Sequence, residues 1–575
     1  MQRQEATGGA TTQTHRRRLS LLPAKSVGTV HRPTPLDTGT AQTMPDSDIP
    51  RPRPFVRFAK RAMIAALLLV LGIVALLATL LAWPTPAPPD GSVGGEFVIR
   101  DVSVVDVDSG TVQPGRDVVL RAGTIESIAP AGTGVVPEGA VEVDGSGRFL
   151  VPGLWDMHTH SNAFAPQFQH PLFIAHGVTA VREMWGCMSR PDPFFACAED
   201  RQRWNRALDD GRGVHPRYIG QSSFQINGGS EVPEGYETFF RASTPAEARA
   251  MAAWYAANGV DTLKVYSELG PEAYTALAEA ARAEGLSIAG HRPARVSLEQ
   301  ALDAGQRSIE HGRLFAFECF EGAEAFRAMD RPMTAYNGDL RRRLVDEQDP
   351  ARCSALMQRM AASGTAWSPT LLTLRMEGFA DDAAFRDDDR LRYVPWLIRR
   401  LMWFPDADRM AASAISDDGR NVRRELYRLA QRHVAQAHAA GVDILVGTDA
   451  MDTYSIPGAG LHDELEALVE AGLSNADVLR AATLGAAEYS GVADRLGAVE
   501  VGRTADLLLL DGNPLEDIGH TREIRALFLG GRYFDRDALD ELLAFSESRA
   551  GSLSQNLKIF FAAIRSPLLR VQAAD

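Results

Sequence analysis

The chain is 575 residues long and 45% hydrophobic, with 60 Lys and Arg against 74 Asp and Glu, a formal net charge of −14. That length and apolar content predict a multidomain globular protein with a large core. The acidic balance, with no long basic stripe in the soluble part, excludes a general nucleic-acid binder and points to small-molecule chemistry.

Residues 1–61 are rich in Thr, Pro, Arg and Gln with little apolar periodicity, and are expected to form a disordered basic leader. Met44 offers a second start that leaves a shorter leader. The run AMIAALLLVLGIVALLATLLAW, residues 62–83, carries no charge and is long enough as a helix to cross a bilayer. It ends in Trp83-Pro84 without a small-residue cleavage site, so an uncleaved transmembrane anchor is expected in preference to a signal peptide. Arg51, Arg53, Arg57, Lys60 and Arg61 precede the span, and positive charge stays on the cytoplasmic side. The chain is therefore expected in a bacterial inner membrane with everything after Trp83 in the periplasm.

Residues 84–95 read as a Pro/Gly linker. Short alternating strands follow over 96–150, and the same signature returns over 497–537, so the two ends are expected to complete one β-sandwich domain. Between them, over 151–496, apolar strands alternate with Ala-rich helical stretches. The strand candidates are FLVPGLWDMH, GVTAVREM, RYIGQSS, GVDTLKVYS, LSIAGH, RSIEH, AWSPTLL and VDILVGTD. This α/β pattern predicts a (β/α)8 TIM barrel, in which the chemistry lies at the C-terminal ends of the strands.

The informative residues sit at those ends. His158 and His160 close the first strand with one residue between them, so they share a face and can grip one ion. Lys264, in the fourth strand, faces the axis, where an unpaired ammonium is costly and must be neutralised, paired or modified. His291 and His311 end strands five and six, and Asp449 ends strand eight. Each alone has an ordinary structural explanation as a core histidine, ion-pair partner or helix cap. Their shared position in one alternating series predicts a metal site.

With these motifs the chain resembles the amidohydrolase superfamily, in its imidazolonepropionase-like and exported prolidase-like branch. The resemblance covers residues 95–539 and rests on VPGLWDMHTH, GVTAVREM, GVDTLKVYS, AGHRP, SIEHG, VGTDA, LHDELEALVEAGLSNADVLRAAT and GAVEVGRTADLLLLDGNPLEDI. It implies a TIM barrel with a composite β-sandwich and a two-metal centre, usually zinc. On that resemblance His158 and His160 match ligands of the first metal and His291 and His311 those of the second. Lys264, as a carbamate formed from carbon dioxide, matches the bridge, and Asp449 matches a first-metal ligand that is also the catalytic acid/base. His, carboxylate and carbamate ligands also admit manganese, cobalt or nickel.

Two ions so held would acidify a shared water to hydroxide and polarise a carbonyl, and Asp449 would carry the proton to the leaving nitrogen. The expected reaction is hydrolysis of a C–N amide bond, with a dipeptide or N-acyl amino acid as substrate. A cyclic amide, imide or lactone is the same-site alternative, and a noncatalytic anchored receptor the alternative from another class.

Three further residues have two readings each. His462 either meets substrate or orients Asp449, or is a helix-terminus histidine. Tyr266 either donates to a substrate oxygen or packs behind the site, and Arg182 either binds a substrate carboxylate or makes an internal salt bridge. Cys187, Cys197, Cys319 and Cys353 all follow the span, so export would allow two disulfides, 187 with 197 and 319 with 353, against four free thiols. In the tail, 538–575, Leu553, Leu557, Phe560, Phe561, Ile564 and Leu568 share one helical face, with Lys558, Arg565 and Arg570 nearby. That suits either an interfacial membrane helix or docking onto the barrel.

Overall fold

The computed structural model describes residues 54–188, 192–233, 235–416 and 418–572. The leader at 1–53, with the Met44 start, and residues 573–575 lie outside them.

The apolar helix runs Pro54–Ala82, so residues 54–61, expected in the leader, form its first turns. Pro54 suits a first helical turn, and Arg57, Lys60 and Arg61 are good helix formers that prolong it. Its segment Phe58–Ala82 has a mean hydropathy of 3.0 and is long and apolar enough to cross a membrane.

The strands from the two chain ends form one nine-stranded hydrogen-bonded sheet, where two stacked sheets were expected. Phe97–Asp106 pairs with Thr111–Arg121 on one side and Phe149–Pro152 on the other, and Phe149–Pro152 pairs antiparallel with Leu507–Leu510. That last ladder joins the two ends of the chain. Phe97, Ile99, Val118 and Leu120 bury against Leu507, Leu509, Ala526 and Phe528, so the sheet encloses its own core.

The stretch FLVPGLWDMH is two strands. Phe149–Pro152 belongs to the large sheet and Leu154–Thr159 starts a parallel series. Pro152 has no N–H to extend the ladder, and a Cβ at Gly153 would lie 2.2 Å from the side chain of Thr179. Leu154–Thr159 pairs in parallel with Val178–Glu183, and that strand with Arg217–Tyr218. Ser222 and Ile226 then bridge to Thr262 and Val265. Thr262–Val265, Ser287–Gly290, Ser308–Glu310 and Ala366–Ser368 continue the parallel order. Trp367 bridges to Ile444 and Ala450 to Thr159, which returns the circuit to its first strand.

The last segment, 443–450, is held by isolated bridges and is not a regular strand. A Cβ on Gly447 would stand 2.7 Å from that of His158, so only glycine allows the approach. Thr448 turns its N–H and hydroxyl to Asp156, at 3.0 and 2.6 Å, instead of to a ladder.

Candidate metal centre

The six residues expected at the strand ends come together. His158 and His160 leave Leu154–Thr159 with ring centroids 5.3 Å apart. Lys264 lies in Thr262–Val265, 2% exposed, with Nζ 3.3 Å from His160 Nε2. His291 and His311 follow Ser287–Gly290 and Ser308–Glu310, with their Nε2 atoms 3.0 Å apart. Asp449 Oδ1 is 3.4 Å from His158 Nε2 and 3.2 Å from His160 Nε2, and its Oδ2 is 3.5 Å from His311 Nδ1. His311 and Asp449 both hold positive φ, 76° and 60°, an uncommon conformation for residues with side chains that tends to gather at functional sites.

The donor set fits divalent cations. Ligand atoms of His158, His311 and Asp449 all lie within 4.8 Å of one another. His158 Nε2 and Asp449 Oδ1 are buried without a hydrogen-bond partner, which is costly unless something else occupies them. Burial, aided by Lys264, holds His158 and His160 well below the usual histidine range, and burial with His311 does the same for His291. His311 is pushed down to about 3, chiefly by burial. The rings are therefore neutral and keep lone pairs for coordination. Burial also lowers the Lys264 ammonium, while burial and Asp452 push the Asp449 carboxyl well above the usual carboxylate range. Nearby cations would reverse that last shift.

A buried brace behind His158 escaped the sequence reading. Glu310 Oε2 is 2.9 Å from His158 Nδ1, and Arg182 Nη2 donates to both Glu310 oxygens at 3.0 Å. Ser308 Oγ donates to Glu310 Oε1 at 2.5 Å, and Arg182 Nε donates to the Met157 carbonyl at 2.6 Å. A carboxylate on Nδ1 fixes the tautomer that leaves Nε2 free for a metal. The available signal was the axis-facing parity of Glu310 within RSIEH. Asp156 is the second brace: it binds Thr448 and the His158 N–H, tying the Asp449 segment to the first strand. Glu310→Gln is expected to weaken metal binding about 10–100-fold, the usual scale for losing such a partner. Metal titration checks this, and unchanged affinity would remove Glu310 from the role.

Arg182 is thus committed to Glu310 and to the Tyr489 hydroxyl, the internal salt bridge and not a substrate contact. His462 does not reach the cluster: it is buried between the Thr521 hydroxyl at 2.9 Å and the His176 carbonyl at 3.0 Å. Its position in Ala459–Ala471 turns it away from the ring's end. The Tyr266 ring lies against His291, centroids 4.2 Å apart. Ser267 Oγ is 2.8 Å from His291 Nδ1 and Thr370 Oγ1 3.0 Å from His311 Nδ1, so each of these rings is oriented by a hydroxyl.

Thr370 precedes the helix Leu371–Phe379, whose first N–H groups at Leu371 and Leu372 donate to the Glu464 carboxyl at 2.8 and 3.0 Å. Burial pushes that carboxyl up from 4.5 to about 8. The folded state then binds a proton that the unfolded state releases, so this group's contribution to stability falls as pH rises from about 4.5 through about 8. Glu464→Gln is expected to flatten the pH dependence of Tm over that window; a parallel curve for variant and wild type would refute it.

Two disulfides join Cys187 to Cys197 and Cys319 to Cys353. The first closes a loop next to Trp185, which packs on His160, centroids 5.2 Å apart, and on Phe195 of that loop at 4.3 Å. The Trp185 indole N–H donates to Gln572 Oε1 at 2.6 Å, and Ser566 Oγ donates to Asp192 Oδ2 at 3.0 Å. The tail therefore packs against this wall.

The profile of the amidohydrolase family matches residues 397–533. That match supports a relation to the amidohydrolase superfamily through this segment. Among curated relatives, adenine deaminase 3 of Rhizobium meliloti (strain 1021) is 33% identical over 94 residues, 16% of either chain. Adenine deaminase of Rubrobacter xylanophilus (strain DSM 9941 / JCM 11954 / NBRC 16129 / PRD-1) is 41% identical over 109 residues, 17% of this chain and 18% of the relative. The chain thus matches about a sixth of the length of these relatives. Solved structures extend the likeness of fold. Bottromycin amidohydrolase superposes with a TM-score of 0.58 at 22% identity, over 83% of this chain and 94% of that one. A Xaa-Pro dipeptidase with methionine bound in its active site gives 0.52 at 20% identity, over 77% and 100%.

Proposed function

We propose that the protein is a membrane-anchored, metal-dependent hydrolase that cleaves a C–N amide bond at the His158–Asp449 cluster. The observation that carries this reading is the meeting of four neutral histidines, one buried lysine and one buried aspartate at the ends of a closed parallel circuit, with His158 Nε2 and Asp449 Oδ1 unpartnered. The circuit and the solved neighbours together support the (β/α)8 barrel.

His158, His160 and Asp449 would hold one ion and His291 and His311 a second, zinc being the expected metal, with Lys264 as a carbamate between them. Such ions, when bound, supply an acidified water and a polarised carbonyl. Asp449 has the proton-handling role: its carboxylate takes the proton of the attacking water and returns it to the leaving nitrogen, which departs as a neutral amine. Lys264 is suited to carbamylation because burial favours its neutral amine, the form that adds carbon dioxide while releasing a proton.

A dipeptide or N-acyl amino acid is the substrate this site fits best. A cavity of about 220 Å3 opens at Ser267, His291 and His311 and is walled by Leu314, Phe317, Phe326 and Met333. It offers an apolar side chain a place beside the amide. Its two cations, Arg292 and Arg313, are already paired with Glu318 and Glu377. Cyclic amides, imides and lactones are the second reading on the same site.

Metal analysis of the purified protein with a library of dipeptides, N-acyl amino acids and ring substrates tests the proposal. Stoichiometric metal and amide turnover with apolar side chains are expected; a metal-free protein inert on both classes would refute it. For location, Phe58–Ala82 supports an inner-membrane anchor with the ring in the periplasm. A reporter fused after Asp90 and active only in the cytoplasm would overturn that topology.

A further inference from the structure

We propose that the helix Leu553–Arg565 and the helical segment at 397–403 rest on the surface of the membrane into which the apolar helix inserts, giving the protein a second bilayer contact. This rests on the anchor reading above.

The geometry ties the three segments together. Ser554 Oγ donates to the Leu80 carbonyl at 2.6 Å, and Lys558 Nζ donates to the Trp83 carbonyl at 2.6 Å and to Thr85 Oγ1 at 2.7 Å. Leu553–Arg565 therefore supplies donors to carbonyls at the C-terminal end of the apolar helix, which have no partner within it. The Leu397 N–H donates to Asn556 Oδ1 at 2.9 Å, which sets the 397–403 segment beside the same helix.

Leu553–Arg565 has two unlike faces. Gln555, Asn556, Ile559 and Ala562 are buried against the body of the protein. Leu553, Leu557, Phe560 and Ile564 follow one another at helical spacing on the other side, and of these Leu553, Phe560 and Ile564 are exposed. The helix ends at Arg565 and a new one begins at Pro567, so Leu568, expected on this stripe, is instead buried. Leu401, Met402 and Trp83, in the segments hydrogen-bonded to this helix or to its partners, are exposed as well, as are Arg400, Arg565 and Arg570.

The occupant follows from depth. A helix of this length that spans the hydrocarbon ends at the headgroups, and residues bonded to Leu80 and Trp83 must share that level. An amphipathic helix with basic residues beside its apolar stripe has the character of an interfacial helix on anionic lipid.

All four cysteines are disulfide-bonded, so one introduced cysteine gives one labelled site. Full-length Ile564→Cys, Leu401→Cys, Leu76→Cys and Val135→Cys variants would carry a nitroxide in vesicles of equal parts phosphatidylcholine and phosphatidylglycerol. Collision with oxygen against a water-soluble nickel chelate reads depth. Leu76, in the apolar helix, should read as deep, and Val135, 87% exposed on a loop, as aqueous. Ile564, 50% exposed, and Leu401, 57% exposed, should read as shallow but lipid-contacting, with oxygen collisions several-fold above the Val135 level relative to the chelate. If Leu76 is deep while Ile564 and Leu401 match Val135, the second contact is overturned and the anchor stands. If Leu76 also matches Val135, the anchor reading fails and takes this one with it. Spin–spin broadening at Ile564 that vanishes on dilution with unlabelled chain would assign the face to a second copy and overturn the membrane assignment.

Discussion

Lys264→Ala is expected to lose one or both metals and to lower turnover by about 10³-fold or more, the scale on which removing a preorganised charged element acts. Lys264 is 2% exposed, and its Nζ stands 3.3 Å from His160 Nε2, a ring held neutral. Two dications would repel an ammonium at that spot strongly, so the protonated form is the least favourable state of this residue. Carbon dioxide would convert the amine to an anion with two oxygens, enough to place one toward each histidine pair. Alanine would remove that anion and leave a hollow of its size, so added formate or acetate should partly restore both metal content and rate. Metal analysis and turnover of the variant beside wild type decide the matter. Two tightly held metals with a near-normal rate would move Lys264 to a purely structural place.

Asp449→Asn is expected to behave differently: metal held by His291 and His311 stays, while turnover falls about 10²–10⁴-fold, the range for losing a general acid–base group. The amide keeps the shape of the carboxyl and can still accept from its neighbours, but it cannot take up and release a proton. Oδ1 is the atom nearest His158 and His160, so metal held by that pair should weaken while the other pair is spared. Formate, which fills a missing anion without replacing a tethered proton carrier, should not rescue this variant. Full activity with both metals present would refute the assignment of Asp449 as proton carrier.

The residues that converge at the ring were legible because strand parity is a local rule. His158, His160 and Lys264 each follow from which side of a strand a residue faces, and His291, His311 and Asp449 from where an apolar run stops. What supports them was not legible, because it depends on partners far apart in sequence. Glu310 is understood only once Arg182 and His158 are seen on either side of it. Asp156 likewise depends on Thr448, a partner far along the chain. His462 kept two readings open for the same reason, and the helix that carries it faces His176 and Thr521. Periodicity likewise ran FLVPGLWDMH together as one strand, since only Gly153 separates Phe149–Pro152 from Leu154–Thr159 and only their neighbours divide them between two sheets.

The hydrogen bond from Trp185 to Gln572 bears on when the centre is completed. His160 and Gln572 lie far apart in sequence, so the wall beside the first ligand pair is complete only once both stretches have been made. A substitution that removed the Gln572 acceptor is therefore expected to loosen the indole and to register at His160.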